Sequence, residues 1–143
     1  MIKKLLLALA VAVPLVGVAG AGGASAAPWH YGTDPAGTGC NSNAAQIASR
    51  NISTPAGNVT VQVFYSYSCS TNWIRVTGNP GGGWTDKWIS ADGGAELYET
   101  DYGYGSSYSM QVYAPGATCV NFRVQLVDTA GGYYGGTGYE RVC

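Results

Sequence analysis

Glu96, Glu99 and Asp101 are the densest group of ionisable side chains in this sequence, and Tyr98 and Tyr102 are interleaved with them. Paired carboxylates cleave glycosidic bonds when they face each other across a cleft, and neighbouring tyrosines can stack on a sugar. On a strand, successive side chains alternate faces, so Glu99 and Asp101 share one side and Glu96 takes the other. Two carboxylates on one outward face ordinarily form a solvated strand surface, and that is the expectation here. Asp101 and Gly103 offer a second use, a calcium site completed by main-chain oxygens, but their spacing matches no calcium loop. Serine–histidine catalysis has little to work with. His30 is the one histidine, it stands in a Gly- and Pro-punctuated stretch near the N-terminus, and no Gly-x-Ser-x-Gly turn occurs. No catalytic residue, cofactor or metal site is therefore expected, and His30 is read as an exposed bystander.

The aromatic residues carry a stronger signal. The chain has four tryptophans, eleven tyrosines and two phenylalanines, with few charges among them. A small core cannot hide so many, because Trp and Tyr tend to keep their polar tips wet. Trp84 and Trp88 share a face if their run is one strand, with Lys87 on the other. Tyr102, Tyr104, Tyr133 and Tyr134 stand in Gly-rich stretches. With Tyr98 these residues make a candidate binding surface for sugar rings or another protein. The competing reading places Trp73 and Trp88 in the core and lets the loop tyrosines stiffen turns. Arg75 shares a face with Trp73, so a guanidinium over the indole, or a pair with an acidic neighbour, is expected to be structural.

All four cysteines, Cys40, Cys69, Cys119 and Cys143, follow the N-terminal leader. An even number in an exported chain reads as two disulfides; three pairings are possible, and Cys40–Cys69 with Cys119–Cys143 is favoured. One histidine and no Cys-x-x-Cys pair make zinc a poor alternative.

The first 26 residues have the form of a secretory signal: Lys3 and Lys4, an apolar run from Leu5 to Val18, then Ala24-Ser25-Ala26 as the cleavage site. The run is too short and wrongly flanked for a permanent membrane span. Cleavage leaves one domain's worth of chain, residues 27–39 irregular and 40–143 a single β domain. Five basic residues then face eight acidic ones, a net charge of about −3. With so few cations no nucleic-acid footprint is possible, and no membrane association is expected after cleavage.

The elements that must position these groups read as short strands. Val59, Val61, Val63, Tyr65, Tyr67 and Cys69 alternate with Thr60, Gln62, Ser66 and Ser68, Phe64 being the apolar exception. A second run holds Trp73, Ile74 and Val76. Residues 46–53 lean to strand, with a helix capped by Asn43 as the alternative. Residues 78–83, with three consecutive glycines, are expected to be a loop. Residues 84–90 and 95–102 form a hairpin around Asp92-Gly93-Gly94. Residues 108–113 and 118–127 are two further strands, the latter with Val120, Phe122, Val124 and Leu126 on one face. Residues 131–138 are Gly-rich, and 139–143 return as a short edge strand. Six to eight short strands without a convincing helix predict an all-β fold, a small antiparallel sandwich or barrel. The glycine runs introduce no helix and hence no phosphate cradle.

Three segments, 34–40 (Asp-Pro-Ala-Gly-Thr-Gly-Cys), 65–75 (Tyr-Ser-Tyr-Ser-Cys-Ser-Thr-Asn-Trp-Ile-Arg) and 108–115 (Tyr-Ser-Met-Gln-Val-Tyr-Ala-Pro) followed by Cys119, give the chain a resemblance to the YjfA-like proteins. These are small exported bacterial proteins, common in actinobacteria, of uncharacterised function. The chain departs from them at Tyr67 and Ser68, where proline is frequent, and in its tail from Gly131 to Cys143. The resemblance implies export and a compact β domain, and it brings no catalytic motif to carry over.

The expectation is a secreted, non-enzymatic β module that binds carbohydrate or protein at the cell envelope or in the extracellular matrix. The alternatives are a protease-inhibitor-like or other protein-interaction module, presenting residues 78–84 or 131–138 as a braced loop, and a small carboxylate-dependent glycan hydrolase.

Overall fold

The computed structural model describes residues 30–143; the signal expected at residues 1–26, and Trp29, lie outside them. A 3-10 turn at Cys40–Asn43 is followed by ten strands: β1 Ala44–Thr54, β2 Gly57–Ser66, β3 Thr71–Val76, β4 Gly82–Ala91, β5 Leu97–Tyr102, β6 Ser107–Tyr108, β7 Val112–Tyr113, β8 Val120–Asp128, β9 Tyr133–Gly136 and β10 Glu140–Val142. They make two five-stranded sheets. One runs β1-β2-β3-β6, with β7 also on β3; the other runs β10-β8-β4-β5, with β9 also on β8. All strand pairs are antiparallel. Of the two all-β forms expected, sandwich and barrel, the two separate sheets make it a sandwich, stapled by Cys40–Cys69 and Cys119–Cys143.

The period-two pattern explains the layering. Val59, Val61 and Val63 of β2, Ile74 and Val76 of β3, Ile89 of β4 and Val120, Phe122, Val124 and Leu126 of β8 are buried together between the sheets. Each such side chain contributes about 1.5–3 kcal/mol when fully buried, and β-branched residues suit the pleated surface. Gly135 lets β9 close on β1: a β-carbon there would lie 2.7 Å from Ile52 Cγ2.

Several local expectations need correction. The alternation of β2 stops at Ser66, and the chain turns through Ser70, whose φ of 54° is left-handed. Tyr67 and Cys69 are thus turn residues; Tyr67 is exposed and meets Tyr65 edge-on. Ser66, expected outward, is buried, and its Oγ accepts the Cys69 N–H at 3.3 Å. Residues 108–113 are two short strands and not one. Between them Ser109 Oγ accepts the Ile74 N–H at 3.0 Å, and Gln111 accepts from Thr71 Oγ1 at 2.6 Å while donating to the hydroxyls of Thr33 and Thr38. Side chains here take over bonds that a continuous ladder would make. Gly82 and Gly83 open β4 instead of ending a loop, because a side chain at Gly83 would collide with the Asp128 carbonyl across a bulge. The Gly-rich stretch 131–138 likewise contains β9.

Trp73 is buried, but not in the core. Register sets it against Phe64, with rings 5.6 Å apart and 10° from parallel, on the outer side of its sheet. Asp34, Pro35, Ala36 and Asn41 lie alongside it. Arg75 does not cover Trp73; its Nη1 donates to Gln62 Oε1 at 3.0 Å, and its guanidinium lies 5.9 Å from the Tyr108 ring. The N-terminal segment is packed from residue 30 on: Tyr31 rests on the core and donates to the Ala95 carbonyl at 3.1 Å. His30 is no bystander either. Its Nδ1 is buried, and a ring nitrogen lies within 4.8 Å of the sulfurs of Cys40 and Cys69. Both sulfurs are held in the disulfide, so this cluster offers no thiolate to a metal.

Candidate functional site

Register on the second sheet assembles the aromatic residues. Directly opposite residues share a face. Trp84 lies opposite Tyr102 of β5 and Val127 of β8, and Val127 lies opposite Tyr133 of β9. Trp88 lies opposite Tyr98 and Arg123. Between these rows, Asp86 lies opposite Thr100 and Gln125, and Gln125 opposite Gly136. The outer face of β10-β8-β4-β5 therefore carries two aromatic rows on either side of a polar one. Four strands at about 4.8 Å spacing, and rows four residues apart along the chain, give a patch about 14 Å on each side.

Each row is held in place by its neighbours. Trp84 and Tyr102 have ring centroids 6.4 Å apart, and Trp88 and Tyr98 5.1 Å apart. The Arg123 guanidinium is clamped between Trp88, at 3.9 Å, and Tyr139, at 4.9 Å. Asp86 anchors the middle. It accepts from Trp84 Nε1 at 3.0 Å, from Tyr98 Oη at 2.8 Å and from the Thr100 hydroxyl. For the Tyr98 phenol, the Thr100 hydroxyl favours ionisation, but the Asp86 carboxylate and burial outweigh it and hold the phenol above its usual range.

A hollow of about 190 Å³ opens between the rows, lined by Trp88, Arg123, Gln125, Tyr133, Gly136 and Tyr139. Gly136 forms part of its floor because a β-carbon there would fall 2.7 Å from the Val124 carbonyl oxygen. Arg123 Nε is buried without a partner among the described residues. Donors within an aromatic wall are the groups that fix the orientation of a polyhydroxylated ligand.

Of the sequence candidates, Trp84, Trp88, Tyr98, Tyr102 and Tyr133 meet on this face. Tyr104 does not; it is exposed beside Gly82, off both rows. Tyr134 points the opposite way from Tyr133 and packs against the core. Arg123, Gln125, Asp86 and Tyr139 join the two rows on this face without having been expected there from sequence. The alternation of residues 120–127 already put Arg123 and Gln125 on one face, but only pairing with β4 shows whose company they keep.

The carboxylates are not the outward pair expected. Glu99 and Asp101 lie opposite Lys87 and Thr85, on the inner side of β5. Lys87 is completely buried, and its Nζ donates to Asp101 Oδ2 at 2.6 Å and to the Thr85 carbonyl at 3.3 Å. Glu96 is exposed just before β5. Of the two segments considered as inhibitor loops, 78–84 is anchored by buried Asn79, which donates to the carbonyls of Trp84 and Val127, and 131–138 pairs with β8.

Fold and site define a disulfide-stapled antiparallel β-sandwich with an aromatic outer face. The chain belongs to the family described as Protein of unknown function (DUF2690), whose model matches residues 30–121. Tyr133, Tyr139 and Cys143 lie beyond the matched span. No match was found among curated proteins or among solved structures.

Proposed function

We propose that this protein is an exported, non-enzymatic module of the YjfA-like kind that binds polysaccharide at the cell envelope or in the extracellular matrix. The hollow between the aromatic rows carries this reading. Exposed Tyr102, Tyr133 and Tyr139 offer ring faces for stacking, and Gln125 and Arg123 offer donors between them. Two disulfides and the leader pattern at residues 1–26 support export. Membership of the family adds no activity of its own.

The test is co-sedimentation of the purified chain with peptidoglycan and insoluble polysaccharides. Retention above an inert secreted control, lost in Gln125→Ala and Tyr133→Ala and kept in Tyr104→Ala, is expected. Absence of retention on every glycan would remove the sugar reading. Turnover of a glycan that disappears in Glu99→Gln would establish the hydrolase alternative in its place.

A further inference from the structure

A second cavity, of about 180 Å³, opens on the inner side of β5, against the β6–β7 edge of the other sheet; Asp34, Glu99, Asp101, Ser107, Tyr108 and Met110 line it. Three carboxylates reach it, and one of them is already engaged, since Asp101 holds the buried Lys87 ammonium. The other two each keep an oxygen without a partner among the described residues. Asp34 uses Oδ1 to accept the N–H groups of Ala36 and Gly37, and Glu99 uses Oε2 to accept that of Met110 at 3.0 Å.

Ser107 supplies an independent sign. It lies opposite Val76 in the ladder, so its side chain faces the sandwich interior, on the same side as Glu99 and Asp101. The residue is 6% exposed, and its Oγ has no partner among the described residues. A buried hydroxyl is seldom left unpaired. In the wall of an acidic cavity, it points to a donor brought from outside.

The chemistry of that donor follows from charge and spacing. One buried ammonium does not neutralise three carboxylates, so the guest is cationic. Among the described residues, the one trio of His, Cys, Asp or Glu whose ligand atoms all lie within 4.8 Å of one another is His30, Cys40 and Cys69. Asp34, Glu99 and Asp101 do not form such a trio. An ammonium has three N–H donors, as many as the acceptors left without a partner among the described residues on Asp34, Glu99 and Ser107. Met110 and Tyr108 offer an apolar wall for its stem.

We propose that this cavity binds a primary ammonium on an alkyl stem, such as the side chain of a lysine in a peptide, with Asp34, Glu99 and Ser107 as acceptors. The surroundings of Glu99 agree with this. Burial raises its carboxyl above the usual range; Lys87 pulls it down, and Asp101 and Asp34 push it further up. The proposal is independent of the sugar-binding face, which lies on the other side of β5.

The experiment is titration of the whole secreted chain with Nα-acetyl-lysine methylamide at neutral pH and low salt, followed by calorimetry and amide chemical shifts. The norleucine analogue, the arginine analogue and calcium chloride are the comparison probes. The lysine probe is expected to bind at least about tenfold more tightly than the norleucine one. Ser107→Ala and Glu99→Gln are each expected to weaken it about fivefold while still unfolding cooperatively. Equal binding of the neutral analogue, indifference to both substitutions, or displacement of the lysine probe by tighter-binding arginine or calcium would overturn the assignment.

Discussion

The guanidinium carbon of Arg123 lies 3.9 Å above the ring of Trp88, and the same group lies 4.9 Å from Tyr139 on β10's approach. Arg123, itself beyond the family-matched span, is thus the link that ties the β4 tryptophan to Tyr139. Lysine keeps the charge but not the planar stack. Arg123→Lys should cost only about 0.5–2 kcal/mol of stability, the range of a cation–π contact. Under the proposed polysaccharide-binding function its retention should nevertheless fall about tenfold, because the wall of the hollow loosens. Co-sedimentation and urea unfolding of the same preparation check the two halves; retention equal to the parent chain would show that the clamp does not serve binding.

Asp86 orients the two rows through one carboxylate. Three donors converge on it, from Trp84, Tyr98 and Thr100, and the residue is largely buried. Asp86→Ala leaves Trp84 Nε1 without its acceptor and reduces Tyr98 and Thr100 to the hydrogen bond between their own hydroxyls, so it should destabilise the chain by about 2–4 kcal/mol. Trp84→Phe removes a single donor and should cost about 1 kcal/mol through the lost hydrogen bond. Urea midpoints measured at constant m-value compare them, and similar costs for the two variants would contradict a shared anchor.

Lys87 and Asp101 should respond unequally to removal. Lys87 Nζ is buried at 2.6 Å from Asp101 Oδ2, whereas the Asp101 side chain is 46% exposed. Asp101→Asn leaves a buried ammonium facing a neutral amide and should cost about 2–3 kcal/mol, reduced from the fully buried case because water reaches that end. Lys87→Met removes the desolvated charge itself and should fall within about 1 kcal/mol of the parent. Denaturant unfolding of both variants decides the matter; a larger loss for Lys87→Met would reverse the assignment.

The sequence made the strands legible where one rule acted alone. Residues 120–127 alternate cleanly, and β8 buries Val120, Phe122, Val124 and Leu126 as that alternation requires. Cysteine parity likewise led to the two disulfides. Trp73 shows where this fails: its bulk argued for the core, yet it lies on the face away from Ile74, where residues 34–36 cover the outer side of the sheet and bury it. Glu99 and Asp101 fail for a related reason. Charge argued for solvent, but a buried lysine across the ladder and an open sandwich edge accommodate both on the inner side. The aromatic face was half legible, since Trp84 and Trp88 share a face by spacing alone. Tyr139 and Arg123 join them only through pairings between strands far apart in sequence, which no local pattern encodes.

Glu99 makes stability depend on pH. Burial is the main cause of its raised carboxyl; Lys87 from β4 opposes the shift, Asp101 on its own strand and Asp34 from the N-terminal segment add to it, and the Met110 N–H counters it. The folded chain therefore holds the Glu99 proton more tightly than the unfolded chain, whose value is near 4.5. With the proton more tightly bound in the native state, the free energy of unfolding contributed by Glu99 is greatest below that value. It declines as pH rises through the folded value and is constant above. Glutamine cannot ionise and can still accept the Met110 N–H, so Glu99→Gln should raise Tm at pH 7. The gain should shrink as both proteins are brought towards pH 4, where glutamate is neutral as well. Paired melting curves across this range are the measurement. A Tm difference that stays constant with pH, or grows on acidification, would show that Glu99 is not held in a desolvated, anion-rich pocket, and the ammonium site would lose its strongest electrostatic support.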